Sequence, residues 1–261
     1  MSGVLKILAP ILLGVTVLVL WEALVRAYAI PLFVVPPPSA IAAALAENFP
    51  SLMDAVWNTL KVTLEACAIA LLAGVLLAIL FSQSRLVEMA LYPYAVILQV
   101  TPIFAIAPLV LIWVGYERVE LAQLILASTV AFFPVLTNMT LGLRAADRNL
   151  VDLFRLYGAS RWQILARLRW PSALPYLLTS TKVSVGLALI GTIVAEFVAG
   201  SGAATGLGWR IIESGNRLEI PNMFAALALI ALLGLLLFWT FSLLEWALLR
   251  RWHESHLQDR T

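Results

Sequence analysis

Charged side chains are scarce in this 261-residue chain: Asp, Glu, Lys and Arg make up 12% of it, against 62% hydrophobic residues. A soluble domain carries about 25% charge, and the mean hydropathy here is +0.96, so a water-soluble globule is excluded and an integral membrane protein is implied. There is one cysteine, Cys67, which rules out an intramolecular disulfide and a thiolate metal cluster. It falls inside an apolar run and is assigned to packing. The two histidines, His253 and His256, sit three apart in the polar tail with no third ligand nearby, and a solvated tail accounts for them better than a metal site. No Ser/His/Asp grouping, metal-binding helix pair or pair of carboxylates at a defined spacing is present, so hydrolytic chemistry is not expected. A phosphate-binding loop needs a lysine and a hydroxyl residue after its last glycine, whereas Gly208 is followed by Trp209 and Arg210. No nucleotide, cofactor or metal site is therefore expected in this chain.

What is present is long apolar runs. Short alternation of apolar and polar positions, the mark of a membrane β-barrel, is missing, and the runs are too long for strands. The expected fold class is all-α integral membrane, one transmembrane domain over 1–261 with six spans at 7–28, 56–82, 88–113, 119–143, 176–199 and 222–249. The first run has no small-residue cleavage site after it and is read as an uncleaved span. Basic residues gather at Arg85, at Arg250 and Arg251, and over 144–169 as Arg144, Arg148, Arg155, Arg161, Arg167 and Arg169, all on one side of a six-span topology. Glu47, Asp54, Glu117, Glu120, Glu213 and Glu219 fall on the other. The positive-inside rule then places both termini in the cytoplasm. The net charge of +2 is thus a statement about topology, and no nucleic-acid partner is expected.

Two stretches between spans do not cross the bilayer. Pro36-Pro37-Pro38 enforces an extended lead, after which Ser39 is expected to cap a short surface helix with Ile41, Leu45 and Phe49 on one side. Gly200, Gly202, Gly206 and Gly208 mark 200–220 as a turn-rich connection. Within the third span Pro102 and Pro108 cannot donate to the carbonyls of Leu98 and Phe104, and Gln99 and Thr101 stand beside the freed groups. Both a packing kink and the lining of a passage are consistent with that irregularity. Pro134 with Thr137 and Asn138 repeats the pattern in the fourth span. Of the charges at depth, Lys61 and Glu65 are one turn apart and are expected to neutralise each other. Lys182 is near enough to the cytoplasmic end to snorkel outward. Glu196 has no local partner in the sequence, which ranks it above Lys182 as a residue of a passage.

The segment 144–175 is the most informative part of the chain. Gly158 can take the left-handed conformation that ends a helix, and Ser160 with Gln163 fits a capping box that starts another, so the segment is expected to run helix, tight turn, helix. Leu150, Phe154 and Tyr157 recur at helical spacing as an apolar ridge, with Asp152 and Arg155 turned away. A ridge of that kind can plug a groove on a partner.

At this segment the chain resembles the permease subunits of ABC-type importers. These carry an acidic residue, two small residues, three variable ones and a glycine, then after nine more residues an aliphatic residue, a variable one, leucine and proline. Asp152, Gly158, Leu168 and Pro171 stand at those places, while Leu153 and Phe154 replace the two small residues and Trp170 the leucine. Trp21-Glu22, Pro36-Pro37-Pro38-Ser39-Ala40, Thr101-Pro102, Ala107-Pro108-Leu109, Trp113, Phe132-Phe133-Pro134 and Ala195-Glu196 extend the resemblance over nearly the whole chain and point to the nitrate/sulfonate/taurine-type branch. The resemblance implies a type I six-helix permease in a bacterial inner membrane, driven by ATP and Mg held on a separate ATPase subunit and supplied by a substrate-binding protein. It implies a pair of permease chains, a homodimer being expected. The cargo would be a nitrate-, sulfonate- or taurine-like anion or a pyrimidine (thiamin-precursor) compound. Asp152, Leu153, Phe154, Arg155, Tyr157, Gly158, Ala159, Ser160 and Pro171 would form the coupling element seated on the ATPase, and Gln99, Thr101, Pro102, Asn138 and Glu196 would belong to the passage. An ion-coupled secondary transporter is the competing reading, weakened by the absence of paired inverted halves. A membrane scaffold that moves nothing is the other.

Overall fold

The computed structural model describes residues 3–199 and 205–250. His253 and His256, Arg251, Gly200 and Gly202 lie outside the described residues. Among those described, the chain is helical and without strands: α1 (Gly3–Ala27), α2 (Pro38–Glu47), α3 (Phe49–Gln83), α4 (Arg85–Val100), α5 (Ile103–Val114), α6 (Val119–Arg144), α7 (Arg148–Leu156), α8 (Arg161–Ile164), α9 (Trp170–Ala199), α10 (Leu207–Asn216) and α11 (Ile220–Leu249). Five stretches are each long and apolar enough to cross a bilayer: Leu8–Ala27, Phe49–Gln83, Tyr116–Arg144, Arg161–Val198 and Ile220–Leu249. The α4–α5 pair makes a sixth when its two members are read as one broken span, bent by 102°. The bend falls at Thr101-Pro102, where Pro102 has no N–H to continue the helix and serves as the N-cap of α5.

The chain divides into two compact units. The first comprises 1–58 and 205–231, the second 59–204 and 232–261, so α3 and α11 contribute to both. In the first unit, α2 is not capped by Ser39 as the sequence implied; Pro37 is the N-cap and offers no side-chain acceptor. The acceptor comes instead from α1. Glu22 Oε2 accepts the Ser39 amide at 3.0 Å and Oε1 the Ser39 hydroxyl at 2.8 Å, with Arg26 paired to the same carboxylate at 2.6 Å. A carboxylate at a helix N-terminus is well placed, because it meets unsatisfied amides and the positive end of the helix dipole. The stretch 205–220 also departs from the expected turn-rich loop. Gly206 caps α10, whose amphipathic face holds Arg210 to Glu213 at 3.0 Å, and Arg217 to the same carboxylate at 2.9 Å.

The second unit is organised on α6 packed against α9. Small residues let the two backbones approach: a Cβ added at Gly191 would stand 2.8 Å from Ala127 Cα, and one at Gly142 would stand 3.0 Å from Ala173 Cα. Ser184 on α9 donates to the Ala131 carbonyl of α6 at 2.7 Å, and Phe81, Leu136, Met139, Leu143 and Ala173 fill the core at one end. Thr59 donates to Glu196 at 2.8 Å and Thr63 to Thr192 at 3.3 Å, joining α3 to α9 through buried polar groups. Cys67 is buried, as its assignment to packing requires.

Two expectations about charges at depth are corrected. Lys61 and Glu65 are both exposed, and among the described residues no ion pair joins them; the Lys-before-Glu order at this spacing is the weaker one. Lys182 does not snorkel: its Nζ pairs with Glu245 of α11 at 2.8 Å and lies 5.6 Å from the Phe238 ring centre, while Thr179 donates to the same carboxylate at 2.8 Å. Burying both members of a pair together costs far less than leaving one charge alone.

Because the Gly191 contact is with backbone, Gly191→Val is expected to overpack the α6–α9 seam by about 1–3 kcal/mol. Thermal unfolding in detergent should show a clear drop in midpoint. Gly186→Ala, where a Cβ meets nothing within 4 Å, should leave the midpoint unchanged or raise it.

Candidate functional site

Two places collect the residues singled out in the sequence. The first is the turn between α7 and α8. Asp147 caps α7 through the Asn149 amide at 2.8 Å, and Gly158 closes the helix with φ +74°, the conformation that favours glycine. Ser160 and Gln163 form the anticipated capping box: the Gln163 side chain accepts the Ser160 amide at 2.7 Å and Ser160 Oγ accepts the Gln163 amide at 3.3 Å. Five residues of wide π geometry, Leu165–Arg169, then lead into α9, with the Trp170 amide reaching back to the Leu165 carbonyl. The wide turn ends two residues before Pro171, whose ring is disfavoured in a regular helix by the carbonyl four residues earlier.

The apolar ridge of α7 differs in membership from the expected one. Phe154 turns inward with Val151 and packs on Ile164 and Ala146, together with Ala159 and Leu168. The side left exposed is formed by Leu150, Leu153, Leu156 and Tyr157, with Leu156 and Tyr157 85% and 84% accessible. Phe154 therefore holds the hairpin shut, and the outer apolar face carries Leu153 in its place. Asp152 and Arg155 pair at 3.1 Å on the exposed flank of the helix.

The second place is the bend. A cavity of about 310 Å³ opens against it, lined by Gln99, Thr101, Ile103, Thr129 and Pro134, with Leu98, Val130 and Leu187. Gln99 and Thr101 are thus brought together, and Pro102 stands between them and α5. Thr129, Val130 and Leu187 were not singled out from sequence; Thr129 lies five residues before Pro134 and gives no periodic or motif signal of its own. Asn138 and Glu196 do not line this cavity. The Asn138 amide donates to the Pro134 carbonyl of its own helix at 2.8 Å, and Glu196, 2% accessible, accepts from Thr59.

Residues 70–251 match the family described as "Binding-protein-dependent transport system inner membrane component". The chain belongs to this family. It is 30% identical over 250 residues to a probable ABC transporter permease protein of Haemophilus influenzae, covering 94% of this chain and 97% of that protein. It is 33% identical to the riboflavin transport system permease protein RibX of Chloroflexus aurantiacus, covering 91% of this chain and 87% of the relative. With the taurine transport system permease protein TauC of Escherichia coli the identity is 29%, over 86% and 82% of the two chains. Among solved structures, a chain of the inward-facing MetNI methionine ABC transporter superposes with TM-score 0.68 at 18% identity, over 77% of this chain and 97% of that one. The fold is thus that of a type I importer permease, and this chain is an ABC transporter permease.

Ser160→Ala is expected to remove one half of the capping box, a change of about 1 kcal/mol. Hydrogen exchange should show faster exchange of the Gln163 amide, while the amides of α6 keep their protection.

Proposed function

We propose that this permease works in an ATP-driven importer whose separate ATPase subunit seats the α7–α8 turn, and that solute released by a binding protein on the outer face passes the cavity at the α4–α5 bend. The observation that carries the reading is the exposed apolar face Leu150, Leu153, Leu156 and Tyr157 on a short helix locked at both ends. Apolar surface presented by a rigid, capped element is suited to a groove on a partner, and motion imposed on that element reaches α9 through the continuous backbone of 161–199. In this reading Asp152, Leu153, Arg155, Tyr157, Gly158, Ala159 and Ser160 form or shape the contact, Phe154 and Pro171 hold its geometry, and Mg and ATP stay on the partner.

The cavity lining of amide, hydroxyl and apolar groups carries no charged side chain. That favours a neutral or zwitterionic cargo, of the pyrimidine-precursor or taurine kind, over a bare anion such as nitrate. Gln99 and Thr101 are the residues proposed to meet it, while Pro102, which does not line the cavity, is proposed to set the bend that opens it. Asn138 and Glu196 are proposed as supports of the passage wall, acting through Pro134 and Thr59. The polar cluster of Asn48, Ser51, Arg210, Glu213 and Asn222 in the first unit is proposed as part of the outer face that receives the binding protein. A second copy of the chain completes the passage, in a bacterial inner membrane with both termini in the cytoplasm.

Gly158→Pro and Asp152→Lys are each expected to abolish ATP-dependent uptake in reconstituted vesicles containing the ATPase and binding protein, with membrane insertion unchanged. The first breaks the positive-φ turn; the second replaces the carboxylate beside Arg155 with a like charge. Normal uptake by either variant would sink the coupling role. Uptake that persists without ATP and follows a proton or sodium gradient would favour the secondary-transporter reading.

A further inference from the structure

Of the arginines around the inner side of the α7–α8 turn, only Arg155 is used by the transport reading. One cavity, about 440 Å³, is lined by Arg155, Arg161 and Arg169 together with Ser82 and Gln83 at the end of α3, and no carboxylate lines it. A neighbouring cavity of about 400 Å³ shares Arg155 and Arg169, adds Arg144 and Arg148, and has Asp152 as its one acidic lining residue. Glu88 is paired with Arg144 and Asp152 with Arg155. Among the described residues no carboxylate lies at ion-pair distance from Arg148, Arg161 or Arg169. The Arg169 guanidinium is oriented by a 3.2 Å bond to the Ser82 carbonyl, a neutral partner that leaves its charge uncompensated.

Positive charges gathered around one cavity repel one another and concentrate anions there. Guanidinium groups in particular match the oxygens of a phosphate through paired N–H donors. The depth is also informative: Ser82 and Gln83 end one long apolar helix, and Arg169 immediately precedes another that opens with Trp170. Two apolar runs thus end beside the cavity, the arrangement expected where hydrocarbon gives way to headgroups.

We propose that the cavity of Arg155, Arg161 and Arg169 is a binding site for a phosphate group. The position at the ends of two spans favours the headgroup of an anionic phospholipid as its source, with free phosphate as the other source of the same chemistry. Only the leaflet concerned, the cytoplasmic one, rests on the orientation proposed above.

The test uses the full chain purified in a neutral detergent and mixed with micelles doped with phosphatidylglycerol or phosphatidylcholine, with bound lipid read by native mass spectrometry. Phosphatidylglycerol should be retained in preference, and Arg161→Gln and Arg169→Gln should each weaken that retention roughly fivefold. Arg217→Gln, a charge removed elsewhere in the chain, should change nothing. Arg161 is exposed, so its variant keeps the test valid even where loss of the Arg169–Ser82 bond disturbs folding. Radiolabelled inorganic phosphate separates the sources: saturable binding that both variants lose, without preference between the lipids, assigns free phosphate. A lipid preference that survives in both variants overturns the site, as does equal retention of the two lipids with no saturable phosphate binding. Micelles have no sidedness, so the result does not depend on topology. The orientation is read separately with an impermeant maleimide on Arg161→Cys, the native Cys67 being buried.

Discussion

The close approach of α6 and α9 is the contact on which the rest depends. Two glycines, Gly142 and Gly191, and the alanines opposite them remove the side-chain atoms that would hold the backbones apart. In a bilayer there is little hydrophobic gain in moving a leucine from lipid to protein, so association rests on dispersion between well-fitted surfaces and on hydrogen bonds such as Ser184 to Ala131. Once that pair is set, α9 has one face left for α3, which it meets through Thr192 and Glu196, and another for α11, which it meets through Lys182 and Glu245. Polar groups placed at seams between helices are satisfied by each other, which removes the penalty of desolvating them singly.

The same pair connects the two candidate sites. Pro134 on α6 lines the bend cavity, and Gly142, farther along the same helix, packs on Ala173 near the start of α9. The cavity and the hairpin that precedes α9 are therefore mounted on one rigid body of two helices. A close-packed seam moves as a unit more readily than it deforms, so displacement of the hairpin and a change in cavity shape share a structural carrier.

Much of this architecture was legible in the sequence, for reasons that are local. Gly158 and the Ser160/Gln163 spacing announced the α7–α8 turn because capping and left-handed geometry depend on residues a few positions apart. Pro102 announced the break in the third apolar run for the same reason. What the sequence did not disclose are partners distant along the chain. The N-terminus of α2 is held by Glu22 and not by its own Ser39, because the helix begins one residue before Ser39, at Pro38, which leaves Ser39 inside it with both its amide and its hydroxyl donating to Glu22. Lys182 finds Glu245 sixty-three residues away, and Phe154, apolar and correctly periodic, faces the hairpin interior because Ile164 and Ala146 are there to receive it. The helix α10 was hidden by its glycines, because Gly206 stands at its N-cap while Gly208 and Gly215 are absorbed inside the helix.

The wide turn at 165–169 has a consequence for angular phase. In an unbroken α-helix, residues eight apart are separated by about 80° around the axis, which would turn Arg161 and Arg169 toward different quarters. One additional residue in a single turn takes back about 100°, one residue's rotation. The two guanidinium-bearing positions are thereby brought almost into line, and both border the same cavity. A distortion next to Pro171 thus sets the azimuth of the hairpin relative to the span it joins.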